Sequence, residues 1–147
     1  MISNLNFTTD KMNNPKMLSP LTLAYIGDTV FDLFVRETLI REANRPANIL
    51  HKLSAKRVCA AAQSHAVQVL LEREILTDEE ISVLKRGRNA HSNHLPKNAS
   101  EKDYHLATGL ESLFGFLYLS ENTDRLHELF SIIWKIHDEE FSDAEKV

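Results

Sequence analysis

Apolar residues recur every three or four positions along most of this chain, and strict apolar–polar alternation is absent. That period is helical, and the short polar interruptions mark the helix ends. Ser19 is placed to N-cap a first helix, with Pro20 at the first helical position, where its missing N–H costs nothing. The spacing predicts a helix from about Pro20 into Ile40 or Arg41, with Leu23, Ile26, Val30, Leu33 and Phe34 as its buried stripe. Gly27 interrupts it. Glycine in a helix interior costs about 1 kcal/mol relative to alanine, so a close approach of another backbone or a ligand is expected there.

The same reading continues along the chain. Residues 47 to 53 form a short helical piece after Asn44-Arg45-Pro46. Ser54 caps a helix to about Arg73, with Val58, Ala61, Ala62, His65, Val69 and Leu70 inward. Thr77 and Glu80 make a capping box, and the helix they open carries Ile81 and Leu84 and stops at Gly87, near Arg88-Asn89. Asn89 to Ala99 reads as a polar loop. Ser100 caps a mostly apolar helix to Leu119, and a last helix runs from about Thr123 to His137 with Leu126, Leu129, Phe130, Ile133 and Trp134 on one side. The expected architecture is all-α and one domain over residues 17–137, flanked by a polar, flexible 1–16 and an acidic, solvated 138–147.

Composition narrows the class. Four glycines and four prolines in 147 residues suit helices better than short strands. No apolar run reaches membrane-spanning length and no signal-peptide core follows the N-terminus, so the cytoplasm is the expected compartment. A single cysteine excludes an internal disulfide framework, and Cys59 in its alanine-rich helix is expected to be buried and inert. The net charge of −4 disfavours an indiscriminate nucleic-acid binder, although local patches matter more than totals.

Two acids stand out. Glu111 is the only acid between Asp103 and Glu121, and Asp28 follows Gly27 in an equally apolar helix. A lone carboxylate in such a run is costly to bury unless paired or bound to metal. Two such helices, each with one acid near a glycine, suggest that the acids meet, as Mg²⁺ ligands or within a structural cap or ion pair. Lys85, Arg86 and Arg88, with Lys97 beyond the loop, form the most concentrated basic feature. Asn89 and Asn98 add neutral donors, and phosphate backbone binding is the reading favoured over a solvated helix end. His51, Lys52, Lys56 and Arg57 make a second, weaker cationic group. His91 and His94 lack partners at zinc-site spacing, and His137-Asp138 stands without the other ligands of a phosphohydrolase.

Three motifs then carry a family resemblance. Tyr25-Ile26-Gly27-Asp28-Thr29-Val30 resembles the signature helix of ribonuclease III, and Thr108-Gly109-Leu110-Glu111-Ser112-Leu113-Phe114-Gly115 resembles its second catalytic helix. Arg86-Gly87-Arg88-Asn89-Ala90, followed by Pro96-Lys97-Asn98-Ala99-Ser100, is most similar to the small Mini-ribonuclease III subfamily. Their order matches the family, and the resemblance runs from about Pro15 to Ile136.

The resemblance implies a helical, homodimeric endonuclease domain that hydrolyses double-stranded RNA with Mg²⁺ and leaves 5′-phosphates. It further implies a role in maturing precursor 23S ribosomal RNA. Asp28 and Glu111 fall on catalytic, metal-binding positions. Full-length ribonuclease III has two further carboxylates, where this chain has Ala24 and Thr108, a trait shared with the subfamily. Thr108 is then a candidate to reach the metal through water. Tyr25 falls on the aromatic that anchors the dimer. With no stretch left for a double-stranded-RNA-binding domain, the nuclease domain is expected to hold its substrate unaided. The competing reading is a non-catalytic helical RNA-binding or ribosome-assembly factor on a decayed nuclease fold.

Overall fold

The structure is a computed structural model and describes residues 12, 14–90 and 100–145. A 3₁₀ turn, Pro15–Met17, precedes helices α1 (Pro20–Glu42), α2 (Ala47–Val58), α3 (Ala60–Glu72), α4 (Asp78–Asn89), α5 (Glu101–Leu119) and α6 (Thr123–Glu145). The described residues contain no strand, so the all-α expectation holds. The expected caps form as well. Ser19 Oγ accepts from Thr22 N–H, Ser100 Oγ accepts from Asp103 N–H, and Thr77 and Glu80 close the reciprocal box.

Helix α5 lies at the centre because its residues from Leu106 to Leu117 are apolar on nearly every side, and such a helix is stable only when surrounded. It packs against α1, α3, α4 and α6. Phe31 of α1 meets Phe114 of α5 and Phe130 of α6 edge-to-face, at centroid distances of 5.2 and 5.6 Å. At the α1–α5 crossing the backbones touch. A Cβ on Gly27 would lie 1.7 Å from the Glu111 carbonyl oxygen, and one on Gly115 would lie 2.0 Å from that of Leu23. This close approach is the reason for glycine inside each helix. Ser112 Oγ adds a hydrogen bond to Pro20 O at 2.9 Å.

Several expectations need correction. Leu33 is half exposed, and Phe31, one position beyond the expected stripe, is buried instead. The helix expected from Ser54 to Arg73 is two helices, because Cys59 has an extended backbone (φ −65°, ψ 156°). Cys59 is therefore exposed rather than buried. The break also resets the inward face of α3, which buries Ala62, Gln63, Ser64, Ala66, Val67 and Leu70 while Ala61 faces solvent. Gly87 does not end α4; it is buried where that helix meets Ser112, and the helix continues to Asn89.

Helix α6 runs past His137 to Glu145, so the chain stays helical beyond the expected end. Long-range partners hold the acidic extension. Arg57 lies over the Trp134 ring and pairs with Asp138, Arg73 pairs with Glu139 at 3.3 Å, and His65 pairs with Glu140 at 3.0 Å. His137 is buried, with Nε2 donating to Ala62 O at 3.0 Å, and burial pushes its pKa down to about 4. The ring is thus neutral and structural.

A buried ion pair joins the start of α4 to α6. Arg125 donates to both carboxylate oxygens of Glu80, at 2.7 and 2.8 Å, and to Ile75 O at 2.8 Å. Burial alone would raise the Glu80 pKa, but the bonds from Arg125 and the Thr77 backbone hold it below the usual range.

Candidate active site

Asp28 and Glu111 come together where α1 crosses α5. Gly27 admits the α5 backbone against α1, and the residue after it, Asp28, is carried to the edge of the crossing. Asp28 remains exposed and Glu111 half-buried, so the pair opens to solvent on one side only. Burial raises the Glu111 pKa to about 8, reinforced by the Asp28 charge and a hydrogen bond to Asp28. Without a cation, then, the Glu111 carboxyl is held mostly protonated at neutral pH.

A third side chain comes from α3. Gln63 is buried, its amide faces Glu111 and favours the ionised form, yet its Nε2 has no hydrogen-bond partner. Sequence reasoning passed it over. Its inward orientation depends on the break at Cys59, and a glutamine in an alanine-rich run carries no motif.

Two hard carboxylates at a solvent-open edge fit a divalent cation such as Mg²⁺, which keeps several waters and needs no closed cage. Burial and the neighbouring Asp28 both disfavour the ionised form of Glu111, a cost that a bound cation would offset. Among the described residues no group of three or more His, Cys, Asp and Glu converges. Thr108 is buried one turn before Glu111, and its hydroxyl donates to Tyr104 O at 2.9 Å. Its proton is committed to its own helix, and its oxygen remains an acceptor.

Among the described residues, Arg86 and Arg88 do not share one face of their helix. Arg86 and Arg88 are two positions apart, so they point about 200° apart around α4, on either flank of buried Gly87. Arg86 reaches back to Lys16 O at 2.9 Å. Arg88 and Asn89 instead line an open cleft of about 560 Å³ with Lys102, His105 and Leu106 of α5. Only the fold brings Lys102 and His105 beside Arg88. Lys85 is exposed, while Lys97, Asn98, His91 and His94 lie outside the described residues. Arg57 is engaged on α6, whereas His51, Lys52 and Lys56 are exposed.

On the outer side of α1, Tyr25 is 83% exposed, in line with exposed Leu21, Leu33 and Ile40. Beside it is a cavity of about 200 Å³ lined by Ile26, Thr29, Val30, Leu33, Phe34 and Tyr118.

Comparison with known proteins decides the family. The Ribonuclease III domain model matches residues 21–122, which hold both carboxylates and both crossing glycines. The chain belongs to the ribonuclease III family. It is an endoribonuclease. It is 42% identical to the Mini-ribonuclease 3 of Staphylococcus aureus over 127 residues, spanning 86% of this chain and 95% of that protein. With the Mini-ribonuclease 3 of Enterococcus faecalis it shares 41% identity over 120 residues, 82% of this chain and 91% of that one. A crystal structure of a Fusobacterium nucleatum protein superposes with a TM-score of 0.73 at 25% identity, covering 82% of this chain and 94% of the other. The expected ribonuclease III and Mini-ribonuclease III resemblance is borne out, and with it the helical nuclease fold. No helix of the described residues is long and apolar enough to cross a membrane.

Proposed function

We propose that this chain is a Mg²⁺-dependent endonuclease for double-stranded RNA that works as a homodimer and matures the ends of precursor 23S ribosomal RNA in the cytoplasm. The observation that carries this reading is the Asp28–Glu111 pair, two carboxylates pressed together at a glycine crossing and open on one side. Bound there, Mg²⁺ would supply Lewis-acid activation of the attacking water and neutralise charge building on the phosphodiester. Asp28 and Glu111 hold the ion, Thr108 offers an acceptor oxygen one turn away, and the packed crossing keeps both carboxylates in register. Arg88, Asn89, Lys85, Lys97 and Asn98 dock the phosphate backbone. The exposed edge of Arg86 adds to that docking. Duplex RNA hides its base edges, so recognition rests on backbone and shape.

Cleavage of both strands needs two sites related by a two-fold axis, which an isologous dimer supplies. An exposed tyrosine next to an apolar cavity on the same face is the self-complementary arrangement such a dimer uses, Tyr25 of each copy entering the other's cavity. Purified protein is to be incubated with structured duplex RNA, with and without Mg²⁺. Asp28→Asn and Glu111→Gln should each abolish cleavage while fold and RNA binding persist. Near wild-type cleavage by either variant overturns the assignment and leaves the non-catalytic RNA-binding reading in its place.

A further inference from the structure

We propose that Gln63 is a positioning residue for the catalytic pair, its otherwise unpartnered side-chain N–H holding the Glu111 carboxylate in the orientation that a divalent cation needs. The inference rests on the reading of Asp28 and Glu111 as metal ligands.

Three observations lead to it. Gln63 is 1% exposed, and a buried amide N–H without a partner is destabilising and rare enough to need a reason. Packing alone offers none, because an apolar side chain of the same length would fill the space without the penalty. The amide faces Glu111 across the α3–α5 packing, and it is the contact there that favours the charged carboxylate, against burial and Asp28. Finally, Glu111 is half-buried beside Asp28 at the α1–α5 crossing, so a donor fixed against one of its oxygens turns the other toward the open edge where a cation would sit. A buried donor held there is pre-organised for the metal-bound state, as hydrogen-bonded partners of metal ligands commonly are.

The test replaces Gln63 by methionine, which keeps the length and removes the donor, and in parallel by leucine. Mg²⁺ is titrated into RNA-free protein and its affinity read from the rise in melting temperature, which follows ligand saturation. We expect Gln63→Met to fold with a cation-free melting temperature equal to or above wild type and to bind Mg²⁺ at least about 10-fold more weakly. In turnover at fixed, subsaturating Mg²⁺, kcat should fall by a similar factor with KM for RNA unchanged, and added Mg²⁺ should restore the rate. Mg²⁺ affinity within twofold of wild type in either folded variant overturns the proposal. So does failure of both variants to fold, which would make the role structural. Glu111→Gln separates the two readings. If it loses Mg²⁺ binding while Gln63→Met keeps it, only the positioning role is wrong; if Glu111→Gln also keeps it, the metal assignment itself fails.

Discussion

Mg²⁺ binding to the RNA-free protein should release close to one proton per chain at neutral pH. The cause is the state of Glu111. With its pKa raised to about 8 by burial and by Asp28, it is about nine-tenths protonated at pH 7, and a Mg²⁺ ligand must be ionised. Saturating Mg²⁺ should therefore release about 0.9 proton per chain at pH 7, falling to about 0.1 at pH 9. Apparent Mg²⁺ affinity should climb about tenfold per pH unit toward pH 8 and then level off. A pH-indicator dye in weakly buffered solution measures the release directly, and Glu111→Gln should abolish it. A release below about 0.2 proton at pH 7, with Mg²⁺ bound, would show that Glu111 is already ionised in the free protein or is not a ligand.

The same carboxyl sets a stability trend of definite sign. Its folded-state pKa lies above the reference value of 4.5, so between about pH 4.5 and 8 the folded chain binds more protons than the unfolded one. Stability from this group is complete below pH 4.5 and is lost as pH rises through 8. The loss is on the order of 3 kcal/mol, allowing for the solvent that reaches the open edge. Cation-free Glu111→Gln should consequently melt above wild type at pH 9 and nearly with it at pH 5, and Mg²⁺ should narrow the difference at pH 9.

Other perturbations probe the remaining parts. Gly27→Ala forces a Cβ onto the Glu111 carbonyl, so it should cost about 3 kcal/mol or more by chemical denaturation, beyond the usual overpacking range, and abolish cleavage. Arg125→Met strands the Glu80 carboxylate and should cost about 3 to 5 kcal/mol at pH 7, the loss shrinking below pH 4.5 as Glu80 takes up a proton. Tyr25→Ala should weaken the dimer by about 2 kcal/mol or more. Light scattering should find wild type near twice 16.8 kDa at tens of micromolar and the variant shifted toward monomer. Arg88→Gln should lower RNA affinity and flatten its salt dependence by roughly one counterion, with Arg86→Gln doing less because Arg86 is held by the Lys16 carbonyl.

What the sequence made legible were features with local causes. Ser19, Thr77 and Ser100 announce helix starts because a cap bonds within three residues. Gly27 announces a close approach because nothing in its own helix favours it, and Asp28 and Glu111 stand out because each is an acid near a glycine in a largely apolar helix. What stayed hidden has causes far along the chain. No glycine or proline marks the break at Cys59, and without the break Gln63 cannot be placed on the inward face. The extension of α6 rests on Arg57, Arg73 and His65, more than sixty residues earlier. Arg86 and Arg88 look like one patch in sequence and are split only by the turn of the helix between them.

In the proposed metal site, the glycine crossing and the crowding of the two carboxylates are two consequences of one requirement. A small, strongly hydrated cation held by only two protein carboxylates needs both within reach at once, which demands helix backbones closer than side chains at the crossing would allow. Glycine at positions 27 and 115 meets that demand, but the same closeness forces Asp28 and Glu111 together and raises the cost of ionising Glu111. The rest of the fold offsets that cost at a distance, through the Phe31–Phe114–Phe130 cluster beneath the crossing and the Arg125–Glu80 pair joining α4 to α6. Neither touches the carboxylates directly. Substitutions that relieve the site should therefore stabilise the cation-free protein and silence it, whereas substitutions in the distant supports should lower stability first and activity only through it.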